Sequence, residues 1–561
     1  MVSQPLWLQS YKPNTPPTID LNRYSFIGDV LEKAFKTYSD KPAFSCMGKT
    51  LTYQEIDRKS LVLAFYFQDV LGLKKGDRIG VMMPNVLQYP LVIYGALRAG
   101  LVVVNINPLY TPRELLHQLQ DSGAETLVIL ENFAHTFAQI AKDSPVTKVL
   151  MTGLGDLLSF PKSLVVNLVV RHIKKLVPPY QIPFQTHSMK EALGFEPKPS
   201  AKLPVLSGGD LAFLQYTGGT TGVSKGAMLS HRNIISNLLQ AEAWLKDEVV
   251  LGQEIIVTAL PLYHIFSLVA NCLAFTHFGG HNILITNPRD MKAFVKELGR
   301  YPFTAITGVN TLFNALLHNE AFQKLNFSTL KVSLGGGMAV QKPVADLWKK
   351  ITGKPLVQAY GLTETSPAVC INLFEDREFT GSIGLPLPST LVSIRDEADQ
   401  ELPPGTPGEL CVKGPQVMEG YWGQPEETKK SFSKSGWLLT GDVGVMDQQG
   451  FFKIVDRKKD MIIVSGFNVY PNEIEEVVAS HPGILEAAAV GIVDEKSGEK
   501  IKIFAVKKDP NLTAEDLIDH CRKSLTGYKV PKQVEFRDEL PKSNVGKILR
   551  RSLREAPRAG G

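Results

Sequence analysis

The chain has 561 residues, with 61 Lys and Arg against 56 Asp and Glu, a net charge of +5. That length exceeds what one hydrophobic core holds and predicts two or more domains. A charge balance this close to neutral, without a repeat that interleaves aromatic and basic residues, argues against a nucleic-acid binder, and the 44% hydrophobic fraction is that of an ordinary globular protein.

The opening segment, MVSQPLWLQSYKPNTPP, has no basic region leading into an apolar core, so it does not read as a signal peptide. Residues 1–25 read as an extended, proline-rich arm. The most apolar stretch, Val86 to Val104, contains Pro90, Arg98 and Gly100. It reads as a buried helix running into a strand, not as a bilayer span. The five cysteines, Cys46, Cys272, Cys370, Cys411 and Cys521, are far apart, and no pair has metal or redox spacing. A reducing compartment follows. The expectation is a soluble, cytoplasmic protein, with peripheral contact to a membrane surface left open.

From Phe26 helices alternate with short apolar strands. Thr52 and Glu55 have capping-box spacing. Strands are expected at Arg78–Met83, Leu101–Asn105 and Leu127–Leu130. Thr111, Pro112 and Glu114 supply an N-cap, a first-turn proline and a returning carboxylate for another helix. Such alternation predicts a parallel, helix-covered sheet. Leu164 to Val177, reading LVVNLVVRHIKKLV, sets Val165, Leu168, Val169 and Leu176 on one helical face and Asn167, Arg171 and Lys174 on the other. Two readings stand: a helix lying on an anionic membrane, or one covering the domain core.

Tyr216 to Gly226 reads YTGGTTGVSKG. Glycines let backbone N–H groups approach an anion, and a run of them forms an anion-binding nest. Thr217, Thr220, Thr221 and Ser224 add hydroxyls, and Lys225 adds a charge. With Leu211–Leu214 read as a strand end and Met228–Leu239 as a helix, the stretch is a phosphate loop between strand and helix. A flexible surface turn is the alternative. The order Ser224-Lys225-Gly226 excludes a Walker A loop.

Further strands are expected at Ile255–Leu260, Phe303–Gly308 and Val332–Leu334. From about Gly381 turns become frequent and strands short, which reads as a small β-rich subdomain. A compact α/β module follows from the DRKKD stretch, Asp456 to Asp460. In QAYGLTET, Tyr360 offers a flat face for a purine and Glu364 a carboxylate suited to magnesium. In GWLLTGDVG, Asp442 has the chemistry to accept two hydrogen bonds from a ribose diol, or is a turn aspartate.

Together these stretches resemble the adenylate-forming enzymes: acyl-CoA synthetases, adenylation domains of peptide synthetases and luciferases. The carriers are TGGTTG with SKG, QAYGLTET, the run from Gly436 to Glu475 ending DRKKDMIIVSGFNVYPNEIE, and LPKSNVGKILR. The resemblance covers about residues 26–555, and its wording is most similar to bacterial long-chain fatty-acid–CoA ligases of β-oxidation. It implies an α/β fold. A large N-terminal domain, 1–458, would hold parallel helix-covered sheets and a β-rich subdomain at about 381–458. A small mobile α/β domain, 459–561, would turn on Lys459.

The same resemblance implies that ATP and AMP are held by Thr217, Gly218, Gly219, Thr220, Thr221, Gly222, Ser224, Lys225, Tyr360, Thr363, Glu364, Asp442, Arg457 and Lys547. Mg²⁺ would sit at Glu364. Lys547 would bridge the reacting carboxylate and the α-phosphate. His264 would stand at the acyl-binding mouth, with Gly336 and Gly361 along the acyl path; Gly361 is expected to leave that path open by lacking a side chain. Ser465, Gly466 and Phe467 would form the CoA channel. Some long-chain members carry a tryptophan gate where this sequence has Leu268, and many relatives have glycine at Ala359. The implied partners are fatty acid, ATP and CoA, without nucleic acid, and a homodimer is left open. Medium-chain or aryl acyl-CoA ligase and fatty acyl-AMP ligase activities are alternatives. A fatty-acid carrier, or a phosphate-loop ATPase that releases ADP, would be a different class.

Overall fold

A computed structural model describes residues 5–217, 224–375, 378–465, 467–494, 497–543 and 546–554. Among these residues the strands form four sheets. The first runs, in spatial order, Thr186–Ser188, Lys148–Thr152, Thr126–Leu130, Arg78–Met82, Val102–Asn105, Leu211–Thr217 and Lys225–Ser230. Every pairing in it is parallel except the last. The second has parallel strands Pro42–Cys46, His281–Leu284, Ile255–Thr258, Ala305–Gly308, Val332–Gly335 and Val357–Gly361, with antiparallel strands at both edges. Thr126–Leu130 and Val102–Asn105 are buried at every residue, as strands covered on both faces must be.

The apolar run after Val86 is the helix Gln88–Arg98, buried along its whole length. It lies against the helix Tyr53–Asp69. Gly95 permits that approach: a Cβ there would stand 2.9 Å from Leu63 Cβ and 3.0 Å from Ser60 O. The two capping boxes form as the spacing predicts, with Thr52 and Glu55, and Thr111 and Glu114, exchanging hydrogen bonds. The N-terminal arm departs from the extended reading at Leu6–Ser10, a short 3-10 turn that buries Trp7 edge-on against Phe452, 6.0 Å between ring centres.

Two further expectations are corrected. Met228–Ser230 is strand, not helix, and the helix runs from His231 to Trp244. Lys225–Ser230 is mostly buried, with only Lys225 and Met228 half-buried, and pairs antiparallel with Leu211–Thr217. Ser230 then caps the helix through Asn233. The strands on either side of the glycine-rich stretch therefore pair with each other, and a strand, not a helix N-terminus, follows at Lys225. The β-rich sheet, antiparallel Leu391–Arg395, Gly408–Lys413, Leu438–Met446 and Phe452–Arg457, begins later than Gly381. Leu385–Pro386 still pairs with the edge of the second large sheet. A fourth sheet, from Ile462 to Phe536, is built on the hairpin Ile484–Asp494 and Gly498–Lys507.

The stretch from Lys162 is helical to Leu168 and continues as a π turn to Ile173. Its apolar face is outward. Leu164, Val165, Leu168, Ile173 and Leu176 are all more than half exposed, and Phe160 is 80% exposed. Val170 is buried, and Asn167 ties the helix to Gly155 N and Asp156. Val165, Leu168 and Leu176 thus do not cover the core.

Candidate active site

Parallel strands deliver their carboxyl ends to one place, where ligands of open α/β sheets bind. Thr217, Gly336, Gly361 and the His264 turn all reach that end, around a cavity of about 1890 Å³. Thr217 and Lys225 border it, with Ser224 beside them in sequence. Gly218, Gly219, Thr220, Thr221 and Gly222 lie outside the described residues. This strand pair is anchored from the helix Pro112–Ser122: Tyr216 Oη donates to Asp121 at 2.6 Å, and His117 Nε2 donates to Ser224 O at 3.1 Å. The Lys225 ammonium is paired with Glu427.

On the other side Tyr360 Oη donates to Asp442 Oδ2 at 2.6 Å, and Arg457 Nε stands 3.2 Å from Asp442 Oδ1. Burial, with the Asp442 charge beside it, pushes the Tyr360 hydroxyl well above its ordinary range, so it remains a donor. Lys547 faces the same cavity. Burial, then repulsion from Arg457, lowers its pKa to about 8, while Asp442 opposes the shift. Burial, then the Lys547 charge, lowers His264 to about 4. His264 is therefore a neutral imidazole at neutral pH, and its Nδ1 accepts from Phe266 N at 3.3 Å. Thr363 and Glu364 sit in a single 3-10 turn on the cavity wall.

Lys459 lies in the turn between Arg457, which ends the third sheet, and Ile462, which starts the fourth, and it too borders the cavity. Sequence reading assigned nothing to Arg550, which holds this region together. Its guanidinium reaches Asp456 at 3.1 Å, Asp460 at 3.4 Å and Glu475 at 2.7 Å, and also bonds to Asn472. Asp456 is fully buried. Arg550 follows Lys547 by three positions, so this network sets where Lys547 stands.

Part of the cavity wall forms an apolar arm, bordered by Ala241, Leu245, Val269, Ala270, Ala274 and Phe275. Gly361 borders the cavity but not for the expected reason. A Cβ at 361 would fall 2.0 Å from Pro367 O; the glycine is required by the returning backbone of Pro367–Ala368, and its missing side chain does not point along the cavity. Gly336 differs, since a Cβ there would meet only the Phe266 ring at 3.1 Å and Ala359 O at 3.5 Å. Leu268 is fully buried in the core and does not border the cavity, so it does not occupy a gate. Ser465 and Phe467 are exposed and lie away from the cavity; Phe467 stacks on Tyr528 at 4.8 Å. Gly466 lies outside the described residues.

The sequence matches the family described as AMP-binding enzyme over residues 31–422 and its C-terminal domain over residues 473–547. A long-chain-fatty-acid–CoA ligase of Escherichia coli O6:H1 is 57% identical over 99% of this chain and 98% of its own length. One of Haemophilus influenzae is 50% identical over 98% of each chain. Among solved structures, ATP-bound MatB from Rhodopseudomonas palustris superposes with a TM-score of 0.80 at 27% identity, over 94% of this chain and 98% of that one. The chain belongs to the AMP-binding enzyme family.

Proposed function

We propose that the protein is a long-chain fatty-acid–CoA ligase, joining a fatty acid to CoA through an acyl-adenylate, with ATP converted to AMP and pyrophosphate. The observation that carries this is a single cavity with two chemistries. Its polar end has Lys225, Glu364, Asp442 and Lys547, and its other arm is walled by Ala241, Val269, Ala270 and Phe275. Whole-length similarity to long-chain ligases supports the same reading.

A carboxylate resists nucleophiles because it is already negative. In the first step its oxygen attacks the α-phosphorus of ATP, and the bond to the pyrophosphate oxygen breaks. The Lys547 ammonium neutralises charge between the two anions. Asp442 and Arg457 hold the ribose, and the Tyr360 ring lies along the adenine. Thr217, Ser224 and Lys225 frame the departing pyrophosphate. In the second step the CoA sulfur attacks the acyl carbonyl and the carbon–oxygen bond to AMP breaks. His264, neutral, shapes the mouth of the acyl arm.

The donor set fits magnesium of the phosphate-bridged kind, which takes one or two carboxylates and completes its shell with phosphate oxygens and water. Among the described residues no cluster of three or more His, Cys, Asp or Glu would cage a metal by itself, and Glu364 is the carboxylate on the cavity wall nearest in sequence to Tyr360. Bound there, the ion would offset phosphate charge.

The turn at Lys459 is the proposed hinge between 1–458 and 459–561. With Lys547 at the cavity and Ser465 and Phe467 outside it, the arrangement suits the first step. Rotation would withdraw Lys547 and bring the 465–467 loop to the thiol path. No described helix is long and apolar enough to cross a membrane. The outward apolar face at 164–176, with Arg171, Lys174 and Lys175 beside it, suits peripheral contact with anionic lipid from the cytoplasmic side.

AMP release measured over acids from acetate to palmitate and including benzoate, with and without CoA, tests the whole reading. Acyl-CoA formation with preference for long chains is expected. AMP without thioester would make it an acyl-AMP ligase, ADP an ATPase, and acid binding without turnover a carrier.

A further inference from the structure

The segment Met418–Trp422 crosses between the two halves of the phosphate site. Backbone bonds stitch it to the strand after the glycine-rich loop: Met228 N to Gly420 O at 2.9 Å, Glu419 N to Met228 O at 3.1 Å and Trp422 N to Gly226 O at 2.8 Å. At its start Met418 N donates to Glu364 O at 2.8 Å. One strap thus joins the turn that carries Glu364 to the strand that carries Lys225.

Tyr421 stands where the two meet. Its Oη donates to Glu364 Oε1 at 2.7 Å, and its ring centre lies 5.2 Å from Lys225 Nζ, within range of a cation–π attraction. Tyr421 is half-buried and borders the cavity, so it is not simply filling a core. Thr428 Oγ1 accepts from Tyr421 N at 2.8 Å and fixes the backbone.

We propose that Tyr421 is a positioning residue that holds Glu364 and Lys225 in fixed relation, so that the cation's carboxylate and the ammonium for the terminal phosphates are pre-set for Mg·ATP. This rests on the reading of Glu364 and Lys225 given above. A carboxylate on a rotatable stem loses affinity when nothing orients it, and outer partners of metal ligands act in this way.

The test is calorimetric titration with Mg·ATP, Mg-free ATP and AMP of wild type, Tyr421→Phe, Glu364→Gln and the double variant. The phenylalanine keeps the ring under Lys225 and removes only the bond to Glu364. Tyr421→Phe should weaken Mg·ATP about tenfold, as for a lost hydrogen bond to a charged group. It should leave AMP affinity and melting temperature unchanged, and add nothing to Glu364→Gln. If Glu364→Gln weakens Mg·ATP and Tyr421→Phe does not, the positioning role is overturned while the reading of Glu364 stands. If Glu364→Gln has no effect either, that reading fails and the proposal with it. Equal losses for AMP and Mg·ATP with a lowered melting temperature would make Tyr421 a structural residue and also overturn the proposal.

Discussion

Tyr360 Oη donates a 2.6 Å hydrogen bond to Asp442 Oδ2, so the ring read as the adenine platform also fixes the carboxylate read as the ribose contact. The two belong to different sheets, the second large sheet and the antiparallel sheet of 391–457, and the nucleotide would bridge the same junction. Tyr360→Phe keeps the platform and frees Asp442. AMP and ATP affinity should both fall about tenfold, since a hydrogen bond to a charged group contributes ~1.5–3 kcal/mol. Titration calorimetry with AMP checks it; unchanged affinity would mean that Asp442 is held well enough by Arg457.

Lys547 carries a pH signature. Its pKa is about 8 in the fold against 10.5 for an ordinary lysine. Between those values the unfolded chain binds more protons than the folded one, so this group makes stability rise with pH across that window, and its burial cost is fully present below pH 8. Lys547→Met should therefore melt higher than wild type at pH 7, with the gap closing between pH 8 and 10.5. The same change should slow adenylation by about two to three orders of magnitude and spare thioester formation from pre-made acyl-adenylate. A gap that widens with pH would contradict the sign.

What was legible in the sequence was local. Tyr360, Glu364, Asp442 and Lys547 stand in short stretches whose residue types match their chemistry, and all four border the cavity. Arg550 ends the stretch LPKSNVGKILR but carries no role legible there, because its partner Asp456 lies 94 positions away and only the fold joins them. Met228–Ser230 reads as helix in the sequence because the helical spacing that truly starts at His231 extends by chance to Met228; pairing with Leu211–Thr217 decides the matter. Gly361 in the sequence points to what its missing side chain opens, whereas the fold uses it to admit the Pro367 carbonyl.

Lys459→Pro tests the hinge. The residue sits in the turn between two sheets and borders the cavity, and proline fixes φ and removes a donor. Pyrophosphate exchange should persist while acyl-CoA formation falls by about two orders of magnitude, a fall that corresponds to ~2.7 kcal/mol. Normal overall turnover would place the rotation elsewhere.

Leu168→Glu places a charge in the middle of the outward apolar face, where the leucine is 54% exposed. Because this side chain contributes little to the core, the melting temperature should stay within about 1 °C, consistent with the small effects of surface substitutions. Co-flotation with anionic liposomes should drop and activity on soluble substrate remain. Unchanged flotation would remove this face as the lipid contact.

Acyl length is best probed at Ala270. Gly361→Trp cannot serve, because the added Cβ would collide with Pro367 O at 2.0 Å and every substrate would suffer with the fold. Ala270 lies on the π turn Leu268–Leu273, is half-buried, and borders the apolar arm. Ala270→Phe would fill that arm with a ring. Each methylene kept out of an apolar site forfeits ~0.8 kcal/mol, so excluding about four costs ~3 kcal/mol, or about a hundredfold in kcat/KM. Palmitate should lose that much while acids too short to reach the ring keep their activity. Ala241→Phe, on the helix His231–Trp244 that also borders the arm, should shift the profile in the same direction. If both variants leave palmitate untouched, the chain runs elsewhere. If all acids fall together with the melting temperature, the alanines serve packing and not length.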